Sequence, residues 1–180
     1  MNKKLFYLEL TEIGWYNDED DAPYDSCAHG FVKVIIDNQI IVSPEAWLNV
    51  SACGLHLLRT LDSNHTEKAP LFGYILTEEG HHLDYLPNDK VVTIETLYPS
   101  GYGYNWWVKH NNGQTTLTTE SNNSVTITFD EYSSQIIKFV ERIEELFSRS
   151  TKKLIKETEY DQRAYLMFKN EWRRLKKMYK

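Results

Sequence analysis

The sequence predicts an α+β fold, in which an antiparallel β-sheet meander carries amphipathic helices packed on one face. Three observations lead there. Residues 91–129 alternate apolar and polar side chains around an Asn112-Gly113 turn, and residues 31–42 are rich in β-branched side chains. Residues 131–148 and 159–178 each carry an apolar stripe at helical spacing.

The meander has a register that its turns define. Asn-Gly suits a type I′ turn, which needs positive φ at both central residues. A two-residue loop there sets Val108 opposite Leu117, Trp106 opposite Thr119 and His110 opposite Thr115. The next turn reads as a three-residue loop, Ser121-Asn122-Asn123, with Asn123 left-handed. It sets Leu117 opposite Ile127, Thr119 opposite Val125 and Thr115 opposite Phe129. One face then carries Trp106, Val108, Leu117, Val125, Ile127 and Phe129, and the other Trp107, Lys109, Thr116, Thr118, Thr126 and Thr128. A two-residue second loop would put Leu117 against Thr128 and mix the faces. Residues 91–97 supply a fourth strand, with Val92 and Ile94 on one side. A sheet with one apolar and one threonine-rich face buries the first and wets the second.

From the N-terminus, residues 5–11 read as a strand. Residues 14–25 form a polar loop with the acidic run Asp18-Glu19-Asp20-Asp21 and Pro23. Residues 31–36 and 40–42 pair as a hairpin about Asp37-Asn38-Gln39, and Pro44 stops it. Residues 51–61 form a short helix with Asn49 or Ser51 as N-cap. Its apolar face is Gly54, Leu55, Leu57, Leu58 and Leu61, with His56 opposite, on the solvated side beside Arg59 and Thr60. Residues 71–76 suit a further strand and 77–89 a loop. Asp130 caps the next helix, whose stripe is Tyr132, Ile136, Phe139, Val140, Ile143 and Phe147. After a linker at 150–158, the last helix carries Ala164, Tyr165, Phe168, Trp172, Leu175 and Tyr179.

At 180 residues the chain reads as a single domain, 1–180, large enough to bury a core without staples. A net charge of −6 argues against a nucleic-acid or anionic-membrane binder. Two cysteines do not make a disulfide framework, and a reducing, cytoplasmic setting fits them. No apolar run approaches the roughly 20 residues of a membrane span.

Four sets of residues could carry function. Cys27 and His29, with His81 and His82, offer soft ligands for Zn²⁺, and Asp25, His65, Glu78 and Glu79 could complete a shell. Their spacing matches none of the usual structural zinc motifs, so no cofactor is the first expectation. Cys27 or Cys53 with a histidine could act as a nucleophile, but no nucleophile elbow is present, and enzyme is the weaker class. The run from Tyr98 to Trp107 interleaves tyrosines with Gly101 and Gly103. Its Trp106 and Trp107 must point to opposite sides of a strand. Tyr102, Tyr104 and Trp107 are therefore candidates for a protein-binding surface, because rigid aromatics give contact area at low entropy cost. The bland alternative is that they pack within their own chain. Finally, residues 151–180 hold ten Lys or Arg against four acids, and residues 1–25 hold seven acids against two lysines. A basic helix can follow phosphates, but more often it is a solvated face or pairs with acids of its own chain.

Three stretches, Cys27-Ala28-His29-Gly30, residues 51–61 and residues 160–174, resemble a group of small bacterial proteins, some of them similar to immunity proteins. Those bind and neutralise a toxin. The resemblance implies a cytoplasmic protein whose partner is another protein, a toxin in the specific case, and it carries over no catalytic residue. The group tends to have cysteines near 78–81, where this chain has Glu78-Glu79-Gly80-His81. A metal-dependent enzyme centred on Cys27, His29 and His81 is the alternative function.

Overall fold

The computed structural model describes residues 5–15, 26–78, 82–86, 89, 91–95, 102–151 and 158–180. It has the predicted α+β character, distributed over two main sheets.

The first sheet is built on a long antiparallel pair, β1 (Phe6–Trp15) and β2 (Ala28–Ile36). Phe6, Leu8 and Leu10 alternate inward, and then the pairing skips Thr11, a β-bulge between Leu10 and Glu12. The extra residue shifts the alternation by one, so that Ile13 and the buried Trp15 also face the core. The bulge presses Glu12 onto Gly30, where any Cβ would stand 2.3 Å from the Glu12 carbonyl oxygen. Asp37 and Asn38, with φ of 45° and 66°, make the tight turn to β3 (Gln39–Ile40). β4 (Trp47–Asn49) pairs with the other end of β2.

β4 runs directly into α1 (Val50–Asp62), which is capped by Asn49, whose Oδ1 accepts from the Ala52 N–H at 3.1 Å. Every residue from Val50 to Leu61 except Arg59 is buried. A helix covered all round is a central element rather than a surface one. This corrects the expectation of a solvated His56. Ala52 and Cys53 are small enough for chain to pack closely on the side opposite the leucines. There Cys53 exchanges contacts with Thr77, and His56 stacks on Phe72 at 4.2 Å. The expected strand at 71–76 shrinks to β5 (Leu76–Thr77), preceded by bends.

β6 (His82–Asp84) pairs with β7 (Thr93–Glu95), and β8 (Gly103–Tyr104) pairs with β5. The second main sheet is β9 (Trp106–Asn111), β10 (Gln114–Thr119) and β11 (Ser124–Thr128). The meander therefore has three strands, not four. The edge of β9 where a fourth would pair is taken by His65, which exchanges both backbone hydrogen bonds with Val108, at 2.9 and 2.7 Å. Asn112 and Gly113 take the positive φ of a type I′ turn, 47° and 75°, and the β9–β10 register is as expected. The β10–β11 register differs by two residues, with Leu117 opposite Val125 and Thr115 opposite Ile127. The turn falls one residue earlier, and Asn122 rather than Asn123 is left-handed. A slip of two keeps every side chain on its expected face. Trp106, Val108, Leu117, Val125 and Ile127 are buried, while Thr116 bonds Thr126 and Thr118 bonds Ser124 across the other face.

α2 (Phe129–Arg149) begins directly after β11. Its N-cap is Thr128, not Asp130, because Thr128 and Glu131 form a reciprocal capping box. The helix lies on β1, and the Gln135 amide bonds the free edge of that strand, accepting from Leu8 N–H and donating to Phe6 C=O, both at 2.9 Å. Phe6 packs against Trp106 and Tyr132, joining both sheets to α2. α3 (Glu159–Tyr179), capped by Thr158 with Asp161, crosses α1. No helix among the described residues is long and apolar enough to cross a membrane.

Candidate functional site

The aromatic candidates separate. Tyr102 is 73% exposed. Tyr104 is half-buried against the core, and Trp107 is half-buried with its ring stacked on His65. Trp106 is buried, so the two tryptophans do diverge. Tyr98 to Gly101 lie outside the described residues.

The cysteine and histidine candidates lie on and just before β2, on β6 and outside the described residues. Cys27 is half-buried, and His29 is buried with its Nδ1–H donating to the Cys27 carbonyl at 3.0 Å, which fixes the tautomer. His82 is exposed on β6, and His81 lies outside the described residues. Among the described residues no group of three or more His, Cys, Asp or Glu could hold a metal ion. Cys53 is buried under Thr77, and burial pushes its thiol up to about 12, which disfavours the thiolate a nucleophile needs.

The structure assembles something else beside the aromatic run. Four rings stack in a column: His56 on Phe72 at 4.2 Å, Phe72 on His65 at 4.6 Å, and His65 on Trp107 at 5.2 Å. His65 is the hinge of this column, and its hydrogen bonds define its state. The Leu71 N–H donates to Nδ1 at 3.0 Å, so Nε2 carries the proton and donates to Asn105 Oδ1, also at 3.0 Å. Asn105 passes its amide to the Gly73 carbonyl. Burial lowers the His65 pKa, against the opposing pull of Asn105. His56 is pushed further, down to about 3, by burial and then by the charge of Arg59, and its Nδ1 has no hydrogen-bond partner.

At the His56 end the column meets a cleft of about 490 Å³ between α1, residues 71–73, residues 91–94 and α3. Its floor is an ion pair. Arg59 donates from Nε and Nη2 to the two carboxylate oxygens of Glu171, both at 2.8 Å, and from Nη2 to the Val92 carbonyl at 2.5 Å. Glu171 is 4% exposed. This fork ties α1, α3 and the segment before β7 together. Leu71 and Val91 stand exposed at the rim, and Arg174 beside them is half-exposed, 4.0 Å from Asp62. Neither cysteine lines the cleft.

Residues 71–78 run alongside 102–105: Gly103 fits beneath the Tyr74 ring, Tyr104 pairs with Leu76, and Glu78 N–H donates to the Tyr102 carbonyl. Tyr102, Tyr104 and Trp107 thus lie along one path, beside Glu78, opposite Leu76 and, across the His65 ring, in line with Phe72. Sequence reasoning found the first three and missed Leu76 and Phe72. Periodicity placed His56 outside and passed over Glu171, since a lone acid on a stripe gives no signal until its guanidinium is found. The basic last helix is partly neutralised within the chain, with Lys176 on Glu144 and Lys180 on Glu141. Comparison with known proteins finds no matching family model, no matching curated sequence and no matching solved structure.

Proposed function

We propose that the chain acts by binding another protein, through the surface around Tyr102, where residues 72–78 run beside residues 102–107. The observation that carries this reading is Tyr102, a large aromatic left 73% exposed immediately before β8. The strand behind it is held by the ring column and the Asn105 hydrogen bonds. A rigid aromatic on a supported backbone is the kind of residue that dominates a protein interface. The resemblance to immunity proteins makes a toxin the first partner to test, and the net charge of −6 suits a basic one.

The test is to purify the chain with the toxin encoded nearest its gene and measure their complex by calorimetry. A one-to-one complex that Tyr102→Ala weakens about thirtyfold, with an unchanged melting temperature, supports the reading. Absence of a complex, or equal affinity of the variant, overturns it.

A further inference from the structure

We propose that a second cleft, between the C-terminal end of α2 and the middle of α3, binds a small apolar carboxylate. The acid group would lie on Lys169 and Arg173 and the apolar body against Phe147, Phe168 and Trp172. This reading is independent of the protein-binding surface described above.

The cleft holds about 430 Å³, within the range of sites that take small organic ligands. Three aromatic rings, Phe147 from α2 and Phe168 and Trp172 from α3, make it a place for an apolar body. Its charges make it a place for an anion. Lys169 and Arg173 are four residues apart and so share one face of α3. Several cations of α2 and α3, though not Lys138, Arg163 or Lys177, have carboxylates among the described residues: Lys176 has Glu144, Lys180 has Glu141, Arg174 has Asp62, and Arg142 and Arg149 share Glu145. Among the described residues Lys169 and Arg173 have none. The Lys169 ammonium stands 4.6 Å from the centre of the Tyr165 ring, and Arg173 donates to the Asn170 side-chain oxygen at 3.5 Å. Burial, and then Arg173, lower the proton affinity of Lys169, so an anion between them relieves a cost that the fold otherwise carries. The Tyr165 hydroxyl, in the same wall, is buried without a hydrogen-bond partner.

The lining also orients the ligand. Ser148 and Ser150, at the α2 side, donate their protons to the carbonyls of Glu145 and Leu146 and have none for an anion. The C-terminal end of α2 is the negative end of its dipole, which repels a carboxylate. Glu144 is already engaged by the Trp172 indole N–H and by Lys176. The acid group therefore belongs on the α3 side, and the aromatic rings receive the rest.

The probe is decanoate, below its micelle concentration, titrated into the full chain at low ionic strength by calorimetry and by the indole N–H resonance of Trp172. Decanoate should bind one-to-one and move that resonance, and decanol should bind about tenfold more weakly. K169Q/R173Q should lose about the same factor, and K169R/R173K should retain most of the affinity. If the glutamine variant does not fold, the decanoate-to-decanol ratio on the parent chain decides the matter alone. Failure of decanoate to bind, equal binding of decanol, or a folded K169Q/R173Q that binds like the parent would overturn the proposal. Binding of an acidic aromatic peptide without binding of decanoate would overturn it too, in favour of a peptide site.

Discussion

Gly54 and Trp172 meet so closely that a Cβ on the glycine would stand 2.4 Å from Cη2 of the indole. The contact sets how near α1 and α3 approach. Gly54→Ala on an exposed helix would gain about 1 kcal/mol in propensity. Here it must displace an indole that is 93% buried and bonded to Glu144, and overpacking of that kind costs roughly 1–3 kcal/mol. The variant should melt below the parent. Trp172→Phe should be less harmful in the Gly54→Ala background than alone, and a double-mutant cycle of melts measures that coupling. Additive effects would mean the two residues do not constrain each other.

The Arg59–Glu171 fork offers a second test. Glu171→Ala leaves a guanidinium, 16% exposed, without its carboxylate, and breaking a buried pair from one side costs about 3–5 kcal/mol. Replacing both, as Arg59→Met with Glu171→Leu, removes the uncompensated charge and should recover most of the loss. Chemical denaturation of the three variants distinguishes a fork that stabilises from one that only fixes the geometry of the cleft. If Glu171→Ala melts like the parent, the fork does neither.

What sequence shows and what it hides can be located at particular residues. The Asn112-Gly113 turn is legible because only certain residues tolerate positive φ, and the alternation beyond it sorts the faces whichever of two registers the next turn selects. The fourth strand is not legible, because the competitor for the β9 edge is His65, more than 40 residues away in sequence and outside any strand pattern. His56 is hidden for a related reason. A period of 3.6 finds the face that leucines cover but not a second face made of small residues, whose cover arrives from a distant segment. Tyr102 and Trp107 look alike as letters, and only tertiary packing separates them.

Burial of His56 gives stability a pH dependence of definite sign. This imidazole has a folded pKa of about 3 against about 6.5 unfolded, so between those values the unfolded chain binds more protons. Stability from this group is complete above pH 6.5 and falls as the pH drops towards 3. At pH 5 the loss from His56 alone is roughly 2 kcal/mol relative to pH 8. His65, lowered in the same direction, adds to the slope. His56→Leu should flatten the pH 5–8 dependence of the melting temperature, even if its melt at pH 8 is lower. An unchanged slope would show that His56 titrates normally in the folded protein.

Tyr102 and Trp107 should answer to different measurements. Tyr102 is 73% exposed and has no ring partner among the described residues, so Tyr102→Ala removes little from the folded state. Its melt should stay within about 0.5 kcal/mol of the parent, as for most surface substitutions. A Tyr at the centre of an interface typically contributes about 2 kcal/mol or more, so its loss should be read in binding. Trp107 closes the ring column on His65 and packs beside the fixed Asn105. Trp107→Ala uncovers the His65 ring and forfeits a stacked pair worth about 0.5–1.5 kcal/mol beyond its buried area. It should therefore lower the melt clearly, and it should weaken Leu71 N–H protection in hydrogen exchange, because that amide bonds His65 Nδ1. Should Tyr102→Ala prove the more destabilising of the two, the exposed tyrosine is structural and the binding surface must be sought elsewhere.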